Sequence, residues 1–129
     1  MGSQPVVIEE KSVAVESDDD RGVTWRTLTS ADRIQTRELT SGVCEIAPGA
    51  ELALHRHPPL ELYYFLEGSG VVTLGRDDFP VQPGSTIYIP GGTPHRILNS
   101  GSTPLRLFYV FPVDSFSEVE YTMLDQASG

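Results

Sequence analysis

Residues 48–70 read Pro-Gly-Ala-Glu-Leu-Ala-Leu-His-Arg-His-Pro-Pro-Leu-Glu-Leu-Tyr-Tyr-Phe-Leu-Glu-Gly-Ser-Gly, and three turn signals cut this stretch into two strand-sized runs. The turns are Pro48-Gly49, Pro58-Pro59 and Gly68-Ser69-Gly70. His55 and His57 stand two apart, so in a strand both imidazoles face the same side while Arg56 between them faces away as a solvated charge. Glu61 opens the next run, and a hairpin return would bring its carboxylate beside the pair. Tyr63, two residues on, shares the face of Glu61 and points inward; Tyr64 points outward.

The same texture continues outward in both directions. Turn punctuation recurs at Ser41-Gly42, Gly75-Arg76-Asp77-Asp78, Pro83-Gly84, Pro90-Gly91-Gly92 and Asn99-Ser100-Gly101, with runs rich in Val, Ile, Leu, Tyr and Phe between. Ten prolines and twelve glycines placed between these runs exclude long helices, and the reading is an all-β sandwich or barrel. The period begins at Val23; residues 1–22, with Glu9, Glu10, Glu16 and the solvated run Asp18-Asp19-Asp20, read as a flexible N-terminal arm ahead of a single domain over 23–129. At 129 residues one core is the expectation.

Nine Lys+Arg against eighteen Asp+Glu give a net charge of −9, so the attraction to phosphate that carries nucleic-acid and anionic-membrane binding is missing. No apolar stretch reaches the roughly 20 residues of a membrane helix, and no basic, then apolar, leader opens the chain; the expectation is a cytoplasmic protein. Met1-Gly2 lacks the Ser or Thr at position 6 that a myristoylation signal needs, Val6 standing there instead. The single cysteine, Cys44, excludes an intrachain disulfide and reads as a small buried residue.

All three histidines, His55, His57 and His95, lie beside Gly/Pro turns. His95 can add a further ligand to the His55/His57 pair and Glu61, and three imidazoles with one carboxylate suit a divalent transition metal: Fe, Mn, Co, Ni or Zn. In an octahedral arrangement two positions stay open for water or substrate.

These residues carry a resemblance. Gly49, His55, His57, Glu61 and Gly68 match the spacing of the first cupin motif, and Gly84, Pro90, Gly92, His95 and Asn99 match the second. The resemblance implies a jelly-roll β-barrel holding a metal through His55, His57, Glu61 and His95. Gly22 to Arg26 and Phe111 to Tyr121 further resemble segments of the small bacterial dimethylsulfoniopropionate lyases, cupins that form dimethyl sulfide and acrylate. That likeness implies Tyr63 as catalytic base and Tyr121 as a second catalytic tyrosine. A phenol near pKa 10 needs a nearby cation to favour the phenolate. Trp25, Tyr88, Tyr109, Phe111 and Tyr121 are candidate walls for a cationic sulfonium group. Two alternatives stay open: an Fe(II)-dependent dioxygenase on the same ligands, and a cupin that binds a sugar or other small molecule without chemistry. Sheet edges needing cover lead to the expectation of a homodimer, with the Val23 to Leu28 strand as an exchanged or edge-pairing element.

Overall fold

The computed structural model describes residues 4–17 and 21–125; Met1-Gly2 and the Asp18-Asp19-Asp20 run lie outside them. Among the described residues the chain forms strands β1 (Glu16–Ser17), β2 (Val23–Thr29), β3 (Thr40–Ile46), β4 (Glu51–Arg56), β5 (Glu61–Glu67) and β6 (Gly70–Leu74). β7 (Asp77–Val81), β8 (Thr86–Ile89), β9 (His95–Leu98), β10 (Leu105–Phe111) and β11 (Thr122–Met123) complete the set, and the helical content is two short 3-10 turns, Glu10–Ser12 and Phe116–Glu118. The all-β reading holds, and no helix among these residues is long and apolar enough to cross a membrane.

Two antiparallel sheets face each other. One has the order β1-β2-β3-β10-β5-β8 and the other β11-β4-β9-β6-β7, the two-layer arrangement of a jelly roll. The period of two along each strand decides what enters the space between them. In β10, Leu105, Leu107, Tyr109 and Phe111 point in and are buried while Arg106, Phe108 and Val110 between them are only partly covered. In β5, Glu61, Tyr63 and Phe65 point in and Leu62, Tyr64 and Leu66 point out. Ile46, Phe65, Val72, Ile89, Ile97, Leu105, Leu107 and Phe111 form the core. Phe65 is wholly buried, so Phe65→Ala is expected to lower stability by about 3–5 kcal/mol, read as a lower urea midpoint at unchanged slope.

β2 pairs with β3 along most of its length and, at Thr24 and Trp25 only, with the two-residue β1 on its other side. Glu10 and Glu16, counted with the arm, lie against the sheet: Glu10 pairs with Arg106 and its carbonyl accepts from Arg26, and Glu16 accepts from Thr27 and Arg33.

At one position the fold depends on a missing side chain. Gly42 of β3 lies opposite Tyr109 of β10, and a Cβ there would stand 2.2 Å from the Tyr109 hydroxyl oxygen. Only glycine lets that ring lie across β3 and leave the space between the sheets open.

Candidate metal centre

β4 and β9 are neighbours, and their register places His55 directly opposite His95, with an irregularity between Leu52 and His55 that re-aims the end of β4. His57 follows one turn of pleat later, at the start of the Pro58-Pro59 turn, and Glu61 enters from β5 in the other sheet. All four side chains are buried, His55, His57 and His95 at 2 % exposure or less. The imidazole rings are close: His55 and His95 centroids stand 4.1 Å apart, His57 and His95 4.8 Å.

Each imidazole has its tautomer set by the main chain. The Nδ1–H of His55 donates to the carbonyl of Ala53 at 2.8 Å, that of His57 to Pro59 at 3.0 Å, and that of His95 to Thr93 at 2.8 Å. Because a carbonyl can only accept, the proton sits on Nδ1 in all three, and each Nε2 turns a lone pair inward. The three ligand atoms lie within 4.8 Å of one another. Glu61 Oε1 then sits 3.1 Å from His57 Nε2 and 3.4 Å from His95 Nε2. These are acceptors facing acceptors, and His95 Nε2 is buried with no hydrogen-bond partner. Such a cluster is stable only with positive charge at its centre, supplied by a proton or a metal ion. The donor set therefore fits the divalent metal that the sequence implies, and three buried histidines can hold one.

The ionisation of the site shows the same demand. Burial, helped by the neighbouring imidazoles, pushes His55 down to about 4, so it stays neutral and available as a ligand. Burial pushes His57 down too, but the hydrogen bond and charge of Glu61 outweigh it and leave His57 above its usual 6.5. Tyr63 is raised well above 10 by burial and by the charge of Glu61. That direction is opposite to the one a bound cation imposes, so the chain by itself holds Tyr63 as a phenol. Burial, then Glu61, pushes the Cys44 thiol up to about 12, leaving it protonated and inert.

A cavity of about 520 Å³ opens beside this cluster. His55, Glu61, Tyr63 and Cys44 lie along it, with Trp25, Tyr109, Phe116 and Tyr121 as aromatic walls. Tyr121 arrives from the C-terminal segment, where β11 pairs with β4 so that Met123 stands opposite His55. Its ring stacks 4.9 Å from that of His55 and 5.3 Å from that of His57. Of the five aromatic residues named from the sequence, Trp25, Tyr109 and Tyr121 reach the cavity. Phe111 packs edge-on against His57 at 5.1 Å within the core. Tyr88 does not reach it: it lies on the outer face of β8 and is 61 % exposed.

Residues 42–111 match the model of the cupin domain. The chain belongs to the cupin family. Against the dimethylsulfoniopropionate lyase DddW of Ruegeria pomeroyi this cupin is 39 % identical over 99 residues, which are 77 % of this chain and 64 % of that protein; it thus spans less than two thirds of that relative's length. A predicted oxalate decarboxylase of Thermotoga maritima superimposes with a TM-score of 0.74 at 26 % identity, covering 84 % of this chain and 99 % of that one. The polyketide cyclase RemF of Streptomyces resistomycificus shares the fold with a TM-score of 0.78 at 24 % identity, over 96 % of this chain and 88 % of the other.

Some of the site escaped the sequence. The carbonyls of Ala53, Pro59 and Thr93 are main-chain groups, invisible to residue type, although each lies two residues from its histidine. Phe116 and Met123 reach the cavity only because the C-terminal segment folds back over β4. Asn99, the last residue of the second motif, is not at the centre: it is a buried staple whose amide donates to Ile46 and Thr103 and accepts from Gly101.

Proposed function

We propose that this cupin is a metal-dependent carbon–sulfur lyase, with dimethylsulfoniopropionate as its substrate and dimethyl sulfide and acrylate as products. The observation that carries the reading is Tyr63, a buried phenol that shares the wall of the cavity with Glu61 and with His55 of the three-histidine cluster. The 39 % identity to a lyase of that substrate supports it.

His55, His57, His95 and Glu61 would hold the metal. Bound there, the metal would act as a Lewis acid toward the substrate carboxylate and acidify its α-proton. Tyr63 would take that proton at its phenolic oxygen; the electron pair forms the C=C bond as the C–S bond breaks and leaves with sulfur. Glu61, which shares the inward face of β5 with Tyr63, would first accept the phenol's own proton, so that Tyr63 meets the substrate as phenolate. Trp25, Tyr109, Phe116 and Tyr121 line the cavity and would meet the sulfonium, each ring-face contact worth about 0.5–2 kcal/mol.

The test is incubation of metal-loaded protein with dimethylsulfoniopropionate while acrylate, dimethyl sulfide and dissolved oxygen are followed together. Equal release of the two products without oxygen uptake is expected. Oxygen consumption would replace this reading by the dioxygenase, and binding without turnover by the non-enzymatic cupin.

We also propose that the protein works as a homodimer. The outer face of the six-stranded sheet exposes Leu62, Tyr64, Leu66 and Tyr88 on the adjacent strands β5 and β8, an apolar patch that self-association would cover. Light scattering at micromolar concentration should give twice the mass of one chain; a monomer mass would overturn it.

A further inference from the structure

Two of the three histidines are carried by turns, and those turns touch. His57 leads into Pro58-Pro59, whose second carbonyl fixes its ring; His95 follows Pro90-Gly91-Gly92-Thr93, whose last carbonyl fixes its own. Gly92 N–H donates to the carbonyl of His57 at 2.8 Å, tying one turn to the other. Next to that bond Gly91 faces the backbone of Pro58, and a Cβ at Gly91 would stand 2.1 Å from the Pro58 carbonyl oxygen and 3.3 Å from its carbon. Gly91 is absent from the glycines with positive φ. Its need is for space alone, in contrast to Gly92, whose φ of +80° with open space where a Cβ would stand is a need for conformation. The two-motif spacing that reveals the cupin resemblance uses Gly92 and leaves position 91 open.

We propose that Gly91 is a positioning residue for the metal centre: by lacking a side chain it lets the two ligand-bearing turns interlock, so that His57 and His95 converge. The inference rests on the three-histidine cluster holding a metal. No side chain can swing aside to relieve the contact, because the obstructing atoms are main chain, and the two prolines fix their own φ. Adding a Cβ must therefore push the turns apart by about 1 Å to restore van der Waals separation. That displacement passes to the carbonyls of Pro59 and Thr93, and through them to the angle of each ring. Loss of outer-shell control of this kind typically lowers metal affinity about 10–100-fold.

The experiment uses Co²⁺ as probe on the full chain, with affinity from chelator competition and geometry from the visible ligand-field bands. Gly91→Ala should bind Co²⁺ at least about tenfold more weakly than the parent and with shifted bands. Gly84→Ala serves as the comparison, since Gly84 sits in a turn between β7 and β8 at φ +95° where an added Cβ would meet nothing within 4 Å; it should lose stability and keep the parent's affinity and bands. Hydrogen exchange on the unmodified protein gives a second reading should Gly91→Ala fail to fold: the Gly92 amide should become far better protected on Co²⁺ binding, while the Gly84 amide changes little. Parent-like affinity and bands in a folded Gly91→Ala, or a Gly92 amide indifferent to Co²⁺, would overturn the role of Gly91 alone. A parent that binds no Co²⁺ would instead overturn the metal centre itself, and the inference with it.

Discussion

Replacing His95 with alanine is expected to empty the metal centre while leaving the barrel folded. His95 is wholly buried, faces His55 across the β4–β9 pair, and ends in an Nε2 with no hydrogen-bond partner. It contributes a ligand to the cluster and little else to the polar structure of the metal-free chain. Truncation removes one of three converging imidazoles and leaves Glu61 with His57 alone, so metal affinity should fall beyond the roughly 100-fold that marks the upper end for loss of an outer partner. The fold should survive, since β9 keeps Ile97 in the core and its pairing with β6. Elemental analysis of the parent purified without added metal should give near-stoichiometric Fe, Mn, Co, Ni or Zn, and the variant a small fraction of that, at unchanged circular dichroism. Full occupancy in the variant would remove His95 from the centre.

The fold was legible in the sequence wherever a local rule decides it. Alternation in Glu61 to Leu66 and in Leu105 to Phe111 separates inward from outward residues without knowledge of the partner strand. The two-residue spacing of His55 and His57 likewise places both on one face before any sheet is built. What the chain does only in three dimensions was not legible. The pairing of His55 with His95 depends on a register between strands forty residues apart, and on an irregularity in β4 that no residue type announces. Tyr88 fails as a cavity wall because the face that an aromatic takes in a short strand follows from the pairing of Leu62 with Tyr88, both of which point outward. Nor does residue type announce β1: Glu16–Ser17, two residues in a stretch without period, pairs with Trp25 and Thr24 of β2. Gly91 is the sharpest case, for its demand comes wholly from a carbonyl more than thirty positions away.

Tyr63→Phe is expected to remove most turnover and almost nothing else. The Tyr63 ring is 1 % exposed and packs edge-on against Phe65 at 6.0 Å and His95 at 6.1 Å, and phenylalanine keeps every one of those ring contacts. The substitution deletes only the hydroxyl, a change worth about 1 kcal/mol of stability. The metal ligands are untouched, so metal content should match the parent. Removal of a positioned general base costs about 10²–10⁴-fold in rate, and the loss should appear in kcat with little change in KM, because the carboxylate and sulfonium ends of the substrate meet other groups. The same assay separates Tyr63 from Tyr121. Tyr121 lies against His55 and His57 at the edge of the cavity and remains 41 % exposed, so Tyr121→Phe, which preserves its stacking, should retain more activity than Tyr63→Phe. Acrylate and dimethyl sulfide release by metal-loaded parent and variants gives the decision: a Tyr63→Phe protein as active as the parent would refute the base assignment, and a parent that releases neither product would refute the lyase reading.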